Sequence, residues 1–453
     1  MSEQALSSTQ RGPRASDDVL HIPGEDGLPF FGMARQFLVD PRGMSHRMRT
    51  TYGPVYRLRF LGQRTVTLSG ADALQLVLQD RDKNFSSAKG WDHSIGRLFA
   101  RGLMLMDFDE HRLHRRMMQA AFKRDALKHY MQSMHDISRQ HLERWRDVRG
   151  FKFYPAIKQL TLDNAAVAFL GLELDAQAYA LNRDFVDTVA ASLAIVRVPV
   201  PGLSLWRGLK ARERLANFFQ SQIPERRASN MQDTFARLCH TVDDEGNRYS
   251  DSDIVNHMIF LMMAAHDTVT SSLTTAAHAL AAHPEWQERL REEAAPFGDD
   301  PIDYDRLDQF SDSEMLFNEA LRLWGPVPYI PRRSVREFEF QGFRIPANVQ
   351  IAVSPDGAHY DPSIWQNPEQ FDPDRFSAER AEHKQHPFAF APYGGGAHKC
   401  IGMHFAQILA KVFLRDLVNR FDLALPEGHR LRMQQVPIPK PMDGLPLILT
   451  PRR

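Results

Sequence analysis

Cysteine is nearly absent from this chain. Among its 453 residues only Cys239 and Cys400 occur, so no disulfide framework can staple the fold, which suits a reducing cytoplasm. Surplus charge is missing too. Lys plus Arg total 56 and Asp plus Glu total 56, which removes the basic excess expected of a nucleic-acid binder. No apolar run reaches the roughly 18 residues that a membrane span requires. The opening stretch MSEQALSSTQRGPRASDD has no apolar signal core and reads as a polar tail. No linker divides the chain. With 43% hydrophobic and 25% charged residues, the balance is that of an ordinary globular protein. The expectation is a soluble, cytoplasmic protein with a polar tail over residues 1–27 and one domain over 28–453.

What the chain does have is concentrated near its end. FAFAPYGGGAHKCIGMHFA, Phe388 to Ala406, places Gly394, Gly395 and Gly396 shortly before Cys400, with Gly402 behind it. Phe405, Ile408, Leu409, Val412, Phe413, Leu417 and Phe421 then recur at helical spacing. Cys400 is thereby expected at a helix N-terminus, where the dipole lowers a thiol pKa. Glycines let such a loop pass close to a flat partner. A thiolate presented this way is a suitable axial ligand for haem iron. An inert buried cysteine is the plain alternative, and for an isolated cysteine it is the better one.

Upstream, VYRLRF (Val55 to Phe60), Gly62 and TVTL (Thr65 to Leu68) read as a hairpin. Residues 85–105 show no steady period and read as a long loop. From Asp109 the pattern is helical, and His111 and Arg115 share one face; such a pair can meet carboxylates or form a solvated basic face. Residues 142–222 read as helical, interrupted over Ile195 to Leu209 by Pro199, Pro201 and Gly202. The longest helical stretch runs from about Ser250 to His283. It buries His266, Asp267 and Thr268 mid-helix, where polar groups are costly without partners. Glu319 and Arg322 lie one turn apart on a later helix. FEF (Phe338 to Phe340) and VQIAV (Val349 to Val353) are strand candidates, and a hairpin is expected around Asp443 and Gly444.

Taken in order, these motifs resemble the cytochrome P450 family of haem-thiolate monooxygenases over nearly the whole chain. Tyr393, Gly394, Gly396, His398, Cys400 and Gly402 are similar to its cysteine-loop signature, with Tyr393 replacing the usual Phe and His398 the usual Arg. Ala264, Ala265, His266, Asp267 and Thr268 resemble its oxygen-binding helix motif, with Ala265 in place of glycine. Glu319, Arg322 and Arg375 resemble its buried charge network. His398 is similar to variants in the sterol 14-demethylase and retinoic-acid hydroxylase branches.

The resemblance implies a mainly α fold with small β-sheets, the cytochrome P450 fold, in a soluble bacterial-type enzyme. It implies haem b held by Cys400, with His111, Arg115, Arg332 and His398 on its propionates and Arg333 as a fallback for Arg332. Asp267 and Thr268 are implied as proton relays, next to a local widening of their helix. Trp91, Leu98, Phe99, Met263, Ala264, Val327 and Tyr329 are the expected substrate pocket. Electrons derived from NAD(P)H would arrive through separate proteins, a ferredoxin with its reductase or a flavodoxin-type partner. Arg112, Arg116, Lys123, Arg124, Lys399 and Lys411 offer a basic landing patch, or are ordinary solvated charges. The implied activity is hydroxylation or epoxidation of a steroid, terpenoid, retinoid or fatty acid. Its rivals are a peroxide-driven peroxygenase or isomerase of the same fold, and a non-catalytic haem ligand-binding protein. The apolar and then basic segment 195–214 is expected at the substrate entrance, with possible membrane contact through 195–206.

Overall fold

A computed structural model describes residues 17–192, 194 and 197–452. The chain is mainly helical with small sheets. The helices used below are α1 (Phe108–Met118), α2 (Arg124–Arg144), α3 (Phe153–Leu170), α4 (Ala176–Ala191), α5 (Ser204–Ala228), α6 (Asp251–Ala282), α7 (Ser311–Leu323) and α8 (Met403–Arg420).

α6 is the axis of the molecule. Its ends follow from sequence: the Ser250 hydroxyl accepts from Asp253 N–H at 3.1 Å, and Asp251 and Asp253 sit in the first turn, where the dipole favours acids. It stops at His283, immediately before Pro284. At 1.5 Å per residue its 32 residues span about 48 Å. Its side chains are buried along most of this length, but Met263, Ala264, Ala265, Asp267 and Thr268 are only half-buried. A buried helix with an accessible middle borders an internal space. α2, α3, α6 and α8 share the largest apolar cluster, with Leu273, Leu414 and Phe413 wholly buried.

A six-stranded sheet flanks the helices. β1 (Gly24–Glu25), β2 (Val55–Phe60), β3 (Gln63–Ser69), β4 (Phe85–Ser86), β5 (Ile330–Ser334), β6 (Phe338–Phe340), β7 (Phe343–Ile345) and β8 (Gln350–Ser354) are its strands and their neighbours. The sheet order is β1-β2-β3-β8-β5-β4, and β6 and β7 form a separate hairpin. The β2–β3 hairpin turns at Leu61 and Gly62, both at positive φ, a turn that suits the twist of the strands.

Several expectations change. The polar tail is shorter than 27 residues, because Val19 and Ile22 are buried and Gly24–Glu25 pairs with β2. Residues 85–105 are built from short helical turns, Ser87–Trp91, Asp92–Gly96 and Leu103–Leu105, tied down by Asp107. Its carboxylate accepts from the N–H groups of Ser87 at 2.7 Å and Ala88 at 3.1 Å. Helix resumes at Ser204, before Leu209. Ile195 and Val196 lie outside the described residues. No hairpin folds about Asp443 and Gly444. There the Gly444 and Leu445 carbonyls accept from Tyr154 and Phe153 N–H groups at 2.9 Å each, and Ile448–Pro451 pairs with Phe421–Ala424.

Burial holds several histidines neutral. His135 is lowered to about 4, and His257 and His359 to about 3, each mainly by desolvation. Unfolded, these rings take up protons below about pH 6.5. The unfolded chain therefore binds more protons, and stability present above pH 6.5 is lost as pH falls toward the folded values. The urea midpoint should drop between pH 7 and pH 5, with each histidine contributing about 1.4 kcal/mol per pH unit. His135→Gln should flatten that slope; an unchanged slope would contradict this origin.

Candidate functional site

The cysteine loop is closed by its own backbone. Cys400 N–H donates to Tyr393 O at 2.9 Å and Lys399 N–H to Gly396 O at 3.2 Å. Gly396 has φ of 59° and abuts the Leu78 carbonyl, where any side chain would collide. α8 starts three residues after the thiol. Even so, burial raises the Cys400 thiol above its ordinary value, while Gly402, Arg115 and Lys399 pull it back only in part. The expected lowering by the helix terminus is outweighed in the chain by itself. The residue is nevertheless accessible, so its thiol faces a space inside the molecule, as does the middle of α6. Among the described residues no group of three His, Cys, Asp or Glu side chains could hold a bare metal ion. Any metal at this thiol needs its other ligands from elsewhere.

Around that space stand two arginines and two histidines without an ion pair among the described residues. His111 and Arg115 lie on α1, Arg332 on β5 and His398 in the cysteine loop. The His111 and His398 rings stack with centroids 3.8 Å apart. Burial, then Arg115, lowers His111 to about 4. Burial, then Arg332, His111 and Arg115, push His398 far down. Burial also brings Arg332 to about 10 despite Asp107 and Asp80 nearby. Its guanidinium bonds only the Pro331 carbonyl, at 2.9 Å, and His111 Nε2 has no partner among the described residues. None of the four forms an ion pair there. Buried cations require counter-charge, and two carboxylates on the edge of a flat group meeting Cys400 would supply it. The residues fit haem.

On α6, Thr268 Oγ1 donates to Ala264 O at 2.7 Å, and the helix stays α-helical through Ala265. The expected widening is absent. Asp267 lies 3.5 Å from Lys158 Nζ of α3 and 3.2 Å from His266 Nδ1. Lys158 was not legible in the sequence, because no local pattern links it to a helix so distant along the chain.

Behind the loop, Glu319 accepts from Arg322 at 2.7 and 2.8 Å and from Arg375 Nε at 3.1 Å. All three side chains are fully buried. Arg375 also meets Glu382 at 2.9 Å. Arg322 donates to the His359 and Pro368 carbonyls at 2.7 and 2.8 Å. His359 completes the link. Its Nδ1 bonds Arg322 O at 3.2 Å, and its Nε2 accepts from Ala391 N–H at 3.0 Å, at the start of the cysteine loop. Sequence reading missed His359; its burial beside Arg322 is its only mark.

The expected pocket residues separate. Met263, Ala264 and Val327 are half-buried. Leu98 and Phe99 are packed away at 1% exposure each. Tyr329 packs against the segment around Phe37 and Pro41, with its hydroxyl on Pro41 O at 3.1 Å and its ring 5.0 Å from Phe37. Trp91 is half-buried, and its indole N–H has no partner among the described residues. A recess of about 530 Å³ lies between Ala88, Lys89, Ala100, Leu105 and Arg333. It is lined by none of the groups around Cys400, so the chemistry does not belong there. The basic patch thins: Lys411 is buried against Glu314 at 2.7 Å, and Arg112, Arg116 and Arg124 pair with Asp109, Asp244 and Asp305. Lys123 and Lys399 are exposed without an ion-pair partner among the described residues.

Residues 22–444 match the family model described as Cytochrome P450. The chain is 43% identical over 438 residues to cytochrome P450 136 of Mycobacterium tuberculosis, covering 95% of this chain and 89% of that protein. It is 28% identical to human cytochrome P450 26C1, over 94% and 88% of the two chains. A retinoic acid-bound cyanobacterial CYP120A1 superposes with a TM-score of 0.87 at 27% identity, covering 95% of this chain and 99% of that one.

Glu319→Ala leaves Arg322 and Arg375 unneutralised in a dry interior, which costs about 3–5 kcal/mol. A lowered urea midpoint together with reduced haem retention is expected. A stable variant that retains haem normally would show that the network does not hold the loop.

Proposed function

Because the chain belongs to the cytochrome P450 family and is a haem monooxygenase, we propose that it inserts one oxygen atom of O2 into a lipophilic substrate with electrons from separate redox proteins. The observation that carries the site reading is the group of two unpaired arginines and two neutral histidines around an accessible Cys400. Cys400 would ligate the iron, and Arg115, Arg332, His111 and His398 would hold the propionates. When bound, haem supplies the oxygen chemistry; the chain supplies position, protons and a dry cavity.

Proton supply is the task proposed for α6. Thr268 holds its hydroxyl proton toward Ala264 O, and rotation about χ1 would turn it into the internal space. Asp267 sits at the buried end of a route from Lys158 Nζ, with His266 beside it. General acid–base groups contribute about 10²–10⁴-fold. A binder would have no use for this arrangement, which favours oxygen-dependent turnover over the ligand-binding and peroxide-driven readings.

The substrate is proposed to be a lipophile of terpenoid, retinoid, steroid or fatty-acid size. Relatives support this by their names: a Saponaria officinalis protein 25% identical over 95% of this chain is a beta-amyrin 28-monooxygenase, and the superposed CYP120A1 holds retinoic acid. Val198, Val200 and Leu203 are exposed near the proposed entrance, consistent with membrane contact there. The basic residues beyond them add little to such contact, since Lys210 pairs with Glu213, Arg214 pairs with Asp184, and Arg212 points inward. A ferredoxin or flavodoxin-type donor would approach the cysteine side, where Lys123 and Lys399 are unpaired and the exposed pairs of Arg112, Arg116 and Arg124 are weak enough to exchange.

Thr268→Ala should keep its haem and its substrate-induced spectral shift while product formed per electron falls at least about a hundredfold, the lower end of the general acid–base range. Hydrogen peroxide should account for the lost electrons. Full coupling in the variant would remove Thr268 from the proton route.

A further inference from the structure

We propose that the substrate is a lipophile bearing one anionic group, a carboxylate first of all, selected by Arg97, Arg197 and Arg212 at the seam of the entrance. The inference rests on the lipophile reading above and narrows its class. The seam is where residues 92–98 meet the chain leading into α5. Arg197 donates to Ser192 O at 3.0 Å and Ser94 O at 2.9 Å, and also to His93 O. Arg97 donates to Arg197 O at 3.0 Å. Arg212 donates to Leu98 O at 2.8 Å and to Asn256 Oδ1, on α6, at 2.7 Å.

Every one of these acceptors is neutral. No carboxylate lies within ion-pair reach of the three arginines among the described residues. Nearby acids are engaged elsewhere: Asp184 by Arg214, Glu213 by Lys210 and Asp253 by Arg101. Asp92, exposed on the same segment, pairs with none of the three. Burial holds both Arg197 and Arg212 below the ordinary arginine range, and Arg97 adds repulsion at Arg197. The wholly buried arginines elsewhere behave differently. The buried Arg226, Arg322 and Arg375 are matched by Asp233, Glu319 and Glu382. Arg115 and Arg332, unmatched likewise, stand where the propionates are proposed.

The gap between His93, Ser94, Arg97, Leu98, Arg197 and Leu205 is only about 10 Å³, too small for a carboxylate while the seam is closed. Charge-assisted hydrogen bonds are roughly twice as strong as those to neutral carbonyls. An arriving anion would therefore exchange the carbonyls off Arg97 and Arg197, and the same exchange would part the seam. Selection and opening are one event in this arrangement.

The test uses the full-length holoenzyme and the substrate-induced Soret shift. Retinoic acid is titrated against its methyl ester, palmitic acid against methyl palmitate, and a steroid sulfate against the parent steroid. Each acid should bind at least about tenfold tighter than its ester, with faster association at low ionic strength. In the Arg97→Gln/Arg197→Gln double variant the ratio should collapse to about unity, with the carbon monoxide spectrum unchanged. A preference in the sulfate pair alone would move the class from carboxylate to sulfate and overturn the carboxylate assignment. Equal binding of acid and ester, or a preference that survives the double variant, overturns the proposal but leaves the lipophile reading standing. Equal binding with arginine-dependent association to anionic phospholipid vesicles would assign the arginines to a membrane surface instead. No shift with any probe overturns both readings.

Discussion

One carboxylate between two arginines ties α7 to the irregular stretch that leads into the cysteine loop. Glu319, Arg322 and Arg375 are wholly buried, and a buried ion set earns its keep through geometry more than through net stability. Burial pushes the Glu319 carboxyl up, and Arg322, Arg375 and the Asp372 N–H, which donates to it at 3.0 Å, pull it back only in part. The two guanidiniums spend their remaining donors on carbonyls of residues 359–370, a stretch with little regular structure to satisfy itself. Through His359, the same network reaches the Ala391 N–H and hence the loop that presents Cys400. Position passes from a charge network to a neutral imidazole to a backbone loop.

The opposite principle governs the space that the loop faces. There two arginines, Arg115 and Arg332, stand without an ion-pair partner among the described residues, and burial together with their charge keeps His111 and His398 neutral. Burial raises the Cys400 thiol for the same reason, since a thiolate in a dry interior needs a cation. A group that brings both an iron cation and two carboxylates relieves both imbalances together. The arginines Arg97, Arg197 and Arg212, bonded only to neutral acceptors, would follow the same logic on a smaller scale in the proposal above.

Legibility in the sequence followed the range of the interaction. Elements set by local rules were readable: α6 between Ser250 and Pro284, the β2–β3 hairpin at Gly62, the glycine loop before Cys400. Long-range partners were not. Lys158 reaches Asp267 from another helix, His359 joins two motifs that are each visible alone, and the Asp443–Gly444 turn gives up its hairpin to backbone groups at the start of α3. Tyr329 was expected in the pocket from the resemblance, but its hydroxyl goes to Pro41 and its ring to Phe37. The cysteine thiol was read from the helix terminus alone, while burial, which a sequence does not display, decides its direction.

The central claim is that Cys400, and not Cys239, is the iron ligand. Cys239 is buried in an apolar cluster with its thiol raised to about 11, with no loop to present it. The most direct measurement is the carbon monoxide difference spectrum of the reduced protein, compared with Cys400→His and Cys239→Ala. The far-red-shifted Soret band of thiolate ligation should persist in Cys239→Ala and vanish in Cys400→His. A band that survives loss of Cys400 would contradict the account.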